Sequence, residues 1–315
     1  MTLRQMEYFL AVAEEGSFSQ AAGRLSVTQP ALSQQVRALE IDLGVALIER
    51  LGRGVRLTSA GRAYLPHVRA TLAARGRARR AVQEVVAGKA GELELATVIS
   101  VGVGVLFKPL LAWHAELPEV AIRISEFSHR RALEEFAASG EPDLAVGPTP
   151  VSWDGPSVRL GHERFVVILS RDDPAVSRIV PYRGPAPRAA PQSVGTLPLR
   201  VLEQHEWVLF DRSNGLSEIV EGHLAFAGLP KPRASLRTTQ FIMAATMAGS
   251  GMGPALIPAN VVPADLDAVV CEPDPPLLRS LSAYSRGSLD SLVGRFIDLI
   301  RQHSALLEMP EAAAA

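Results

Sequence analysis

The chain has 315 residues, 47% hydrophobic and 21% charged, the balance of an ordinary globular protein with room for two or three well-buried units. Its one cysteine, Cys271, excludes an internal disulfide and a two-cysteine redox switch. Its formal net charge of −1 conceals a split: residues 1–90 carry 13 Lys/Arg against 7 Asp/Glu, and the remainder 19 against 26, so only the N-terminal part is suited to meet a polyanion. Glu7, Glu14 and Glu15 interrupt any signal-peptide core, and the longest apolar stretch, 98–107, contains Ser100 and two glycines, far short of a membrane span. A cytoplasmic protein in a reducing compartment, with no membrane partner, is expected.

Leu3, Met6, Phe9, Leu10 and Ala13 recur at helical spacing, which predicts an amphipathic helix over 3–15 ending at Glu15-Gly16. Ser17 is placed to cap a second helix over 18–25, with Gln20 completing a capping box, and Ala21-Ala22 lets another helix cross closely. Ser26-Val27-Thr28 forms a short turn. Thr28 caps a third helix and Pro30 is tolerated in its first turn. Leu32, Val36, Leu39 and Leu43 follow an i, i+4, i+7, i+11 pattern and are expected in the core, with Gly44 as the stop. Gln29, Ser33, Gln34 and Arg37 lie elsewhere on the circumference. Amides, hydroxyls and guanidinium groups are what a helix in the major groove needs to address base edges and phosphates. Two helices around a three-residue turn make a helix-turn-helix.

Val55 and Leu57 then alternate with Arg56, and Gly52 and Gly54 supply a turn. The pattern predicts a β-hairpin wing presenting Arg50, Arg53 and Arg56, with no acid after Glu49 to neutralise it. Arginines at a wing tip suit phosphate and minor-groove contact; the plainer reading is a solvated hairpin.

The runs Phe18-Ser19-Gln20-Ala21-Ala22 and Leu25-Ser26-Val27-Thr28-Gln29-Pro30-Ala31-Leu32-Ser33, then Val36, Leu39-Glu40, Leu43-Gly44, Leu47, Arg50 and Leu57-Thr58-Ser59-Ala60-Gly61, stand at fixed spacing. In these, residues 3–62 resemble the N-terminal domain of LysR-type transcriptional regulators. Departures are Ile48, where the family usually has Phe, and Gln34, where it often has a basic residue. The resemblance implies a bacterial, nucleoid-associated, sequence-specific regulator. It would bind a promoter dyad in double-stranded DNA as a homodimer or homotetramer, with RNA polymerase as a further partner. Thr28, Gln29, Pro30, Ser33, Gln34, Arg37, Arg50, Arg53 and Arg56 are its candidate DNA-binding residues, Gln34 ranking below Ser33.

From Thr58 to about Val86 the chain reads as one long helix, with Leu65, Val68, Leu72, Val82, Val85 and Val86 as an apolar stripe and Pro66 as a point for a bend. A helix of this length with no nearby core needs a partner, and in the family the corresponding helix pairs with its twin. The stripe is interrupted by Arg75, Arg77, Arg79 and Arg80, read as a solvated face rather than a DNA contact. Residues 87–91 read as a hinge.

Beyond Gly91, strands are expected at 93–98, 120–126 and 143–147 around helices at 102–114 and 130–139, an order that implies a parallel sheet with ligands at its carboxyl ends. A second set comes next: strands 164–170, 208–210, 253–257 and 281–285, and helices 216–227, 239–248 and 289–303. Residues 181–198, rich in Pro and Gly, read as a surface loop longer than the family usually shows. The tail from Pro310 reads as disordered, and Cys271 as a buried small apolar residue.

This part resembles the family's effector domain, which is similar to a type 2 periplasmic binding protein. The expected fold is therefore α+β and multidomain: a winged helix-turn-helix (1–60), a linker helix and hinge (61–90), and a two-lobed α/β effector domain (91–163 with 264–305, and 164–263), followed by a tail (306–315). Strand ends mark the cleft: Thr97, Ser100, Pro148, Thr149, Ser213, Asn214, Thr238, Thr239 and Phe241. Hydroxyls, an amide and helix termini suit a small polar or anionic effector, although each residue read singly is equally a helix cap.

Seven scattered histidines make no close pair for a metal, and no nucleophile-elbow, phosphate-loop or zinc-helix motif occurs. Gly249, Gly251 and Gly253 lack the dinucleotide spacing. Neither cofactor nor catalytic residue is expected. An enzyme with an appended DNA-binding domain, and a regulator whose C-terminal half serves only oligomerisation, are the alternatives.

Overall fold

Helix caps and three buried side chains organise the first unit of a computed structural model. The structure describes residues 1–51, 54–87, 92–184, 186, 190, 192–287, 289 and 291–307, without the side chains of 80–87 and 291. Two compact units emerge, Met1–Gly91 with Glu135–Asp143, and Glu92–Glu134 with Leu144–Ala315.

Helix α1 (Leu3–Glu15) begins in a capping box: Thr2 Oγ1 accepts the Gln5 N–H, and Gln5 Oε1 accepts that of Thr2. The sequence reading placed the box at Ser17 instead. There Ser17 Oγ accepts the Gln20 N–H at 3.5 Å, and no return bond from the Gln20 side chain occurs among the described residues. Helix α2 spans Phe18–Arg24 and α3 Gln29–Leu43. Thr28 Oγ1 accepts the Ala31 N–H at the start of α3, and Gly44, at φ 70°, closes it. Leu32, Val36 and Leu39 are buried with Phe9, Val12, Ala21 and Leu47. Leu43 is 37% exposed, contrary to expectation. Its angular position on the helix is right, but the three-helix core ends before the last turn.

Strands β1 (Ile48–Arg50) and β2 (Val55–Leu57) pair antiparallel, Glu49 opposite Arg56. Helix α4 (Ser59–Ala87) contains Pro66. Val68 is buried, and Tyr64, Leu65 and Leu72 pack on the same core, with the Tyr64 and Phe9 rings 5.4 Å apart. The early part of the expected apolar stripe thus has a core within its own unit. Val82, Val85 and Val86 lie outside the described side chains, and hinge residues 88–91 and the tail from 310 outside the described residues. Gly61 permits a close approach, since a Cβ there would stand 2.1 Å from the Leu47 carbonyl oxygen.

In the second unit β3 (Glu92–Val98) leads directly into α5 (Ile99–Val101), a π-helical turn over Gly102–Leu106 and α6 (Phe107–Glu116). Helix therefore starts three residues earlier than expected. β4 (Ala121–Phe127), α7 (Arg130–Ser139, grouped with the first unit from Glu135 on) and β5 (Leu144–Pro148) come after it, and β3 runs parallel to both β4 and β5, as the alternating pattern required. β6 (Ser157–Leu169) is much longer than the expected 164–170. Next come β7 (Val180–Pro181), β8 (Gly195–Pro198), β9 (Glu206–Phe210), α8 (Leu216–Phe226), β10 (Arg233–Thr238), α9 (Phe241–Gly249), β11 (Ala255–Pro258), β12 (Val269–Asp274), β13 (Leu278–Tyr284) and α10 (Ser291–His303).

The sheet order is β4-β3-β5-β13-β6-β12-β8-β7, with β11 also on β6, and β9 pairs with β10. The first half of β6 pairs with β13 and its second half with β11 and β12, so one strand connects both halves of the unit. The segment 181–198 is not wholly loop: β8 pairs with β12, and its Leu197 is buried. Pro198 at its last residue, and the prolines at 185, 187 and 191 in the sequence before it, disguised it.

Cys271 on β12 has no exposed surface, and burial pushes its thiol up to about 12. Because the thiolate is the reactive form, a disulfide reagent added to the native protein should release no thiol signal, and one equivalent should appear in denaturant. Rapid labelling without denaturant would contradict this placement.

Candidate DNA-reading face and ligand cleft

Fixing α3 through Leu32, Val36 and Leu39 turns its other side outward. Thr28, Gln29, Pro30, Gln34 and Arg37 are exposed and Ser33 is half-buried. No acid occurs between Gln29 and Arg37, and among the described residues Arg37 forms no salt bridge. Glu40 secures the next segment: its Oε1 accepts the N–H groups of Leu47 and Ile48 at 2.8 and 3.0 Å, tying the end of α3 to the start of the wing.

The wing arginines are not equivalent. Arg56 pairs with Glu49 across the hairpin at 2.7 Å, so Glu49 neutralises the arginine that was expected to stand free. Arg50 donates to Ser33 Oγ at 2.5 Å and lies over the Phe18 ring, 4.6 Å from its centroid. Arg53 lies outside the described residues.

In the second unit a pocket is lined by Val98, Ile99, Ser100, Ser128, Arg130, Pro148, Asn214, Phe241 and Arg279, among others. A wider opening beside it adds Ser213, Thr239, Gln240 and Ile242. Six of the nine expected cleft residues therefore line one continuous region: Ser100, Pro148, Ser213, Asn214, Thr239 and Phe241. Thr97 does not. It is wholly buried within β3, and its hydroxyl donates to the Val146 carbonyl on β5 at 2.7 Å, which holds the side chain inside the sheet. Thr149 is spent on Ser282, hydroxyl to hydroxyl at 2.8 Å. Thr238 belongs to β10, where its hydroxyl accepts the Gln240 N–H.

The helix termini around the pocket differ. At α8, Gly215 donates its N–H to the Ser128 carbonyl, Leu216 to Asn214 Oδ1 and Ser217 to the Asn214 carbonyl. Asn214 is thus a cap as well as a lining residue, and α8 has few amides to spare. The starts of α5 and α9, whose first residues Ile99 and Phe241 line the pocket, have no side-chain cap to take up their first amides.

The sequence reading missed Arg279, for nothing around it signals a site. It faces Glu163 directly across the β6–β13 pairing. Its Nε and Nη2 donate to Glu163 Oε2 at 2.7 and 2.5 Å, and Nη2 also donates to Ser100 Oγ at 3.0 Å. Asn260 donates to the other Glu163 oxygen at 2.9 Å. The side chains of Arg279 and Glu163 are 8% and 1% exposed. Among the described residues no group of three His, Cys, Asp or Glu could hold a metal ion, and no helix is long and apolar enough to cross a membrane.

Comparison with known proteins accounts for both units. The family model described as bacterial regulatory helix-turn-helix protein, lysR family, matches residues 3–62, and that of the LysR substrate binding domain matches 87–305. The HTH-type transcriptional regulator TfdT of Cupriavidus pinatubonensis is 36% identical over 183 residues, 57% of this chain and 78% of that protein. IlvR of Caulobacter vibrioides is 30% identical over 270 residues, 83% of each. Full-length CbnR in complex with its target DNA superposes with a TM-score of 0.63 at 25% identity, covering 96% of this chain and 99% of that one. A full-length OxyR variant of Pseudomonas aeruginosa shares the fold, with a TM-score of 0.69 at 24% identity over 98% of this chain and 99% of that one.

Removing one member of a buried ion pair strands the other charge. Arg279→Met should therefore lower stability by about 3–5 kcal/mol in denaturant titration, whereas the paired change Glu163→Gln with Arg279→Met should recover part of that loss. Equal stability of the single variant and the native chain would refute the burial assigned to Glu163.

Proposed function

The chain belongs to the LysR family of bacterial regulatory helix-turn-helix proteins, and on that footing we propose which of its residues read DNA and which take the effector. It is a DNA-binding transcriptional regulator whose promoter binding responds to a small molecule in the C-terminal domain. The outward side of α3 addresses the major groove through Gln29, Pro30, Ser33 and Arg37. Arg50 and Arg53 face the backbone or minor groove, and Arg56 contributes less because Glu49 already balances it. The observation that carries the assignment is the polar, acid-free exposed face from Gln29 to Arg37 on a helix anchored by three buried aliphatic side chains.

The effector we propose is a small carboxylate or similarly polar anion. Amides at the uncapped starts of α5 and α9 meet its charge, Ser100 and Ser128 orient it, and Phe241 covers an apolar part. Its effect on transcription is a coupling between two sites in one oligomer. For that oligomer a second copy of the chain covers the stripe Ile99, Val103, Phe107 and Leu111, which are 40–60% exposed at four-residue intervals. RNA polymerase is the further partner implied, and the reading includes no catalytic step.

Arg37→Ala should leave the thermal melting of the protein unchanged while weakening specific binding by about 1–3 kcal/mol. Quantitative footprinting on a duplex selected from a randomised pool tests this, and unaltered affinity removes Arg37 from the reading face. For the cleft, small mono- and dicarboxylates can be screened by thermal shift; binding at about 100 times Kd stabilises the native state by about 2.7 kcal/mol. Ser100→Ala should reduce that shift and keep the affinity for DNA. A shift of the same size in the variant would place the ligand elsewhere.

A further inference from the structure

A serine hydroxyl is an ambiguous reader: it has one proton to donate and two lone pairs to accept with, so it tolerates a donor or an acceptor on a base edge. On α3 that ambiguity is narrowed. The Arg50 guanidinium, carried on β1, donates to Ser33 Oγ at 2.5 Å. The same group lies over Phe18, its central carbon 4.6 Å from the ring centroid, and the Phe18 ring is itself 8% exposed in the core of the unit. Stacking fixes the fork and the fork fixes the hydroxyl. A serine in a helix commonly returns its proton to the carbonyl four residues back, as Thr71 and Thr246 do here with His67 and Ile242. Among the described hydrogen bonds Ser33 makes no such return bond. One of its two acceptor lone pairs is taken and its proton is free.

We propose that Arg50 is a specificity-determining positioning residue: by occupying one acceptor lone pair of Ser33 Oγ and fixing the hydroxyl's orientation it biases Ser33 toward donating, which favours a base edge offering an acceptor, such as a purine N7, guanine O6 or thymine O4. The inference rests on α3 being the reading helix. It assigns Arg50 a role distinct from a phosphate contact, which would strengthen binding to every duplex alike. Arg50 retains further N–H groups and an exposed position, so phosphate contact can accompany this role without explaining the bond to Ser33.

The test compares wild type, Ser33→Ala, Arg50→Ala, Arg50→Lys and the Ser33→Ala/Arg50→Ala double variant, each checked for an unchanged melting temperature. The probes are the duplex that wild type selects from a randomised pool and its full set of single base-pair variants. Wild type should reject, by about tenfold at one position per half-site, the base pair that turns a donor toward Ser33. Ser33→Ala, Arg50→Ala and Arg50→Lys should each bring that ratio to within about twofold, and the double variant should lose no more discrimination than either single. Lysine keeps the charge but neither the fork nor the stacking, so it separates positioning from charge even if Arg50→Ala folds poorly. If Arg50→Lys restores wild-type discrimination, or if the two single losses add in the double variant, the proposal is overturned while α3 remains the reader. If Ser33→Ala changes discrimination at no position, the reading of α3 fails as well.

Discussion

Leu32, Val36 and Leu39 decide whether the remainder of α3 means anything. Each contributes about 1.5–3 kcal/mol on burial, and together they allow the helix one rotation about its axis. Once that rotation is set, Gln29, Ser33, Gln34 and Arg37 have fixed directions. The Glu40 carboxylate, receiving the N–H groups of Leu47 and Ile48, transfers the same reference frame to the wing. A polar side chain on a helix free to roll would bind phosphate but could not distinguish bases. Rigidity inherited from an apolar face separates the two outcomes.

Charge was the less reliable guide to this surface. Residues 1–90 carry an excess of basic side chains, yet several are balanced locally: Arg24 by Glu14 and Glu15, Arg75 by Glu7, and Arg56 by Glu49. Such exposed pairs add little stability, but they mute the field their arginines present. Arg37, with no salt bridge among the described residues, and Arg50, bonded to a neutral hydroxyl, keep their full charge outward. The effective positive surface is narrower than the composition suggests, and Arg37 brings part of it to the face that α3 turns outward.

What was legible in the sequence was what repeats locally. Helical periodicity located α1 and α3 to the residue, the glycines at 16 and 44 stopped them, and the hairpin's second strand followed from the alternation of Val55, Arg56 and Leu57. The β-α-β-α-β order gave the parallel strands. Errors arose where a neighbour distant in sequence decides. Leu43 has the right angle but no partner beyond the core's end. Thr97 sits at a strand end by pattern, yet β5 offers it a carbonyl and withdraws it from the cleft. β8, β10 and β12 carry Pro, Arg or Ser where a strand pattern wants alternation, and only pairing reveals them. Arg279 and Glu163 lie 116 residues apart, and no spacing rule connects them.

That last pair bears on what the cleft can recognise. A lone buried arginine would be the obvious anchor for an anion, but the two best-aimed edges of Arg279 are committed to Glu163 and Ser100, and the pair as a unit is neutral. Attraction for an anion is then left to Arg130, itself paired with Glu134 at 3.3 Å, and to backbone amides, and of the three helix starts at the pocket α8 has spent its own on Asn214 and Ser128. The starts of α5 and α9 remain, one following β3 and the other β10. Partial charges at helix ends stabilise an anion without leaving a full charge uncompensated in its absence, so the protein does not need its ligand in order to fold. A ligand changes a conformational balance only by binding one arrangement better than another. An anion shared between two helix starts on different strands favours the arrangement that holds those starts together. In the function proposed here, that preference is what a regulator can transmit from cleft to promoter.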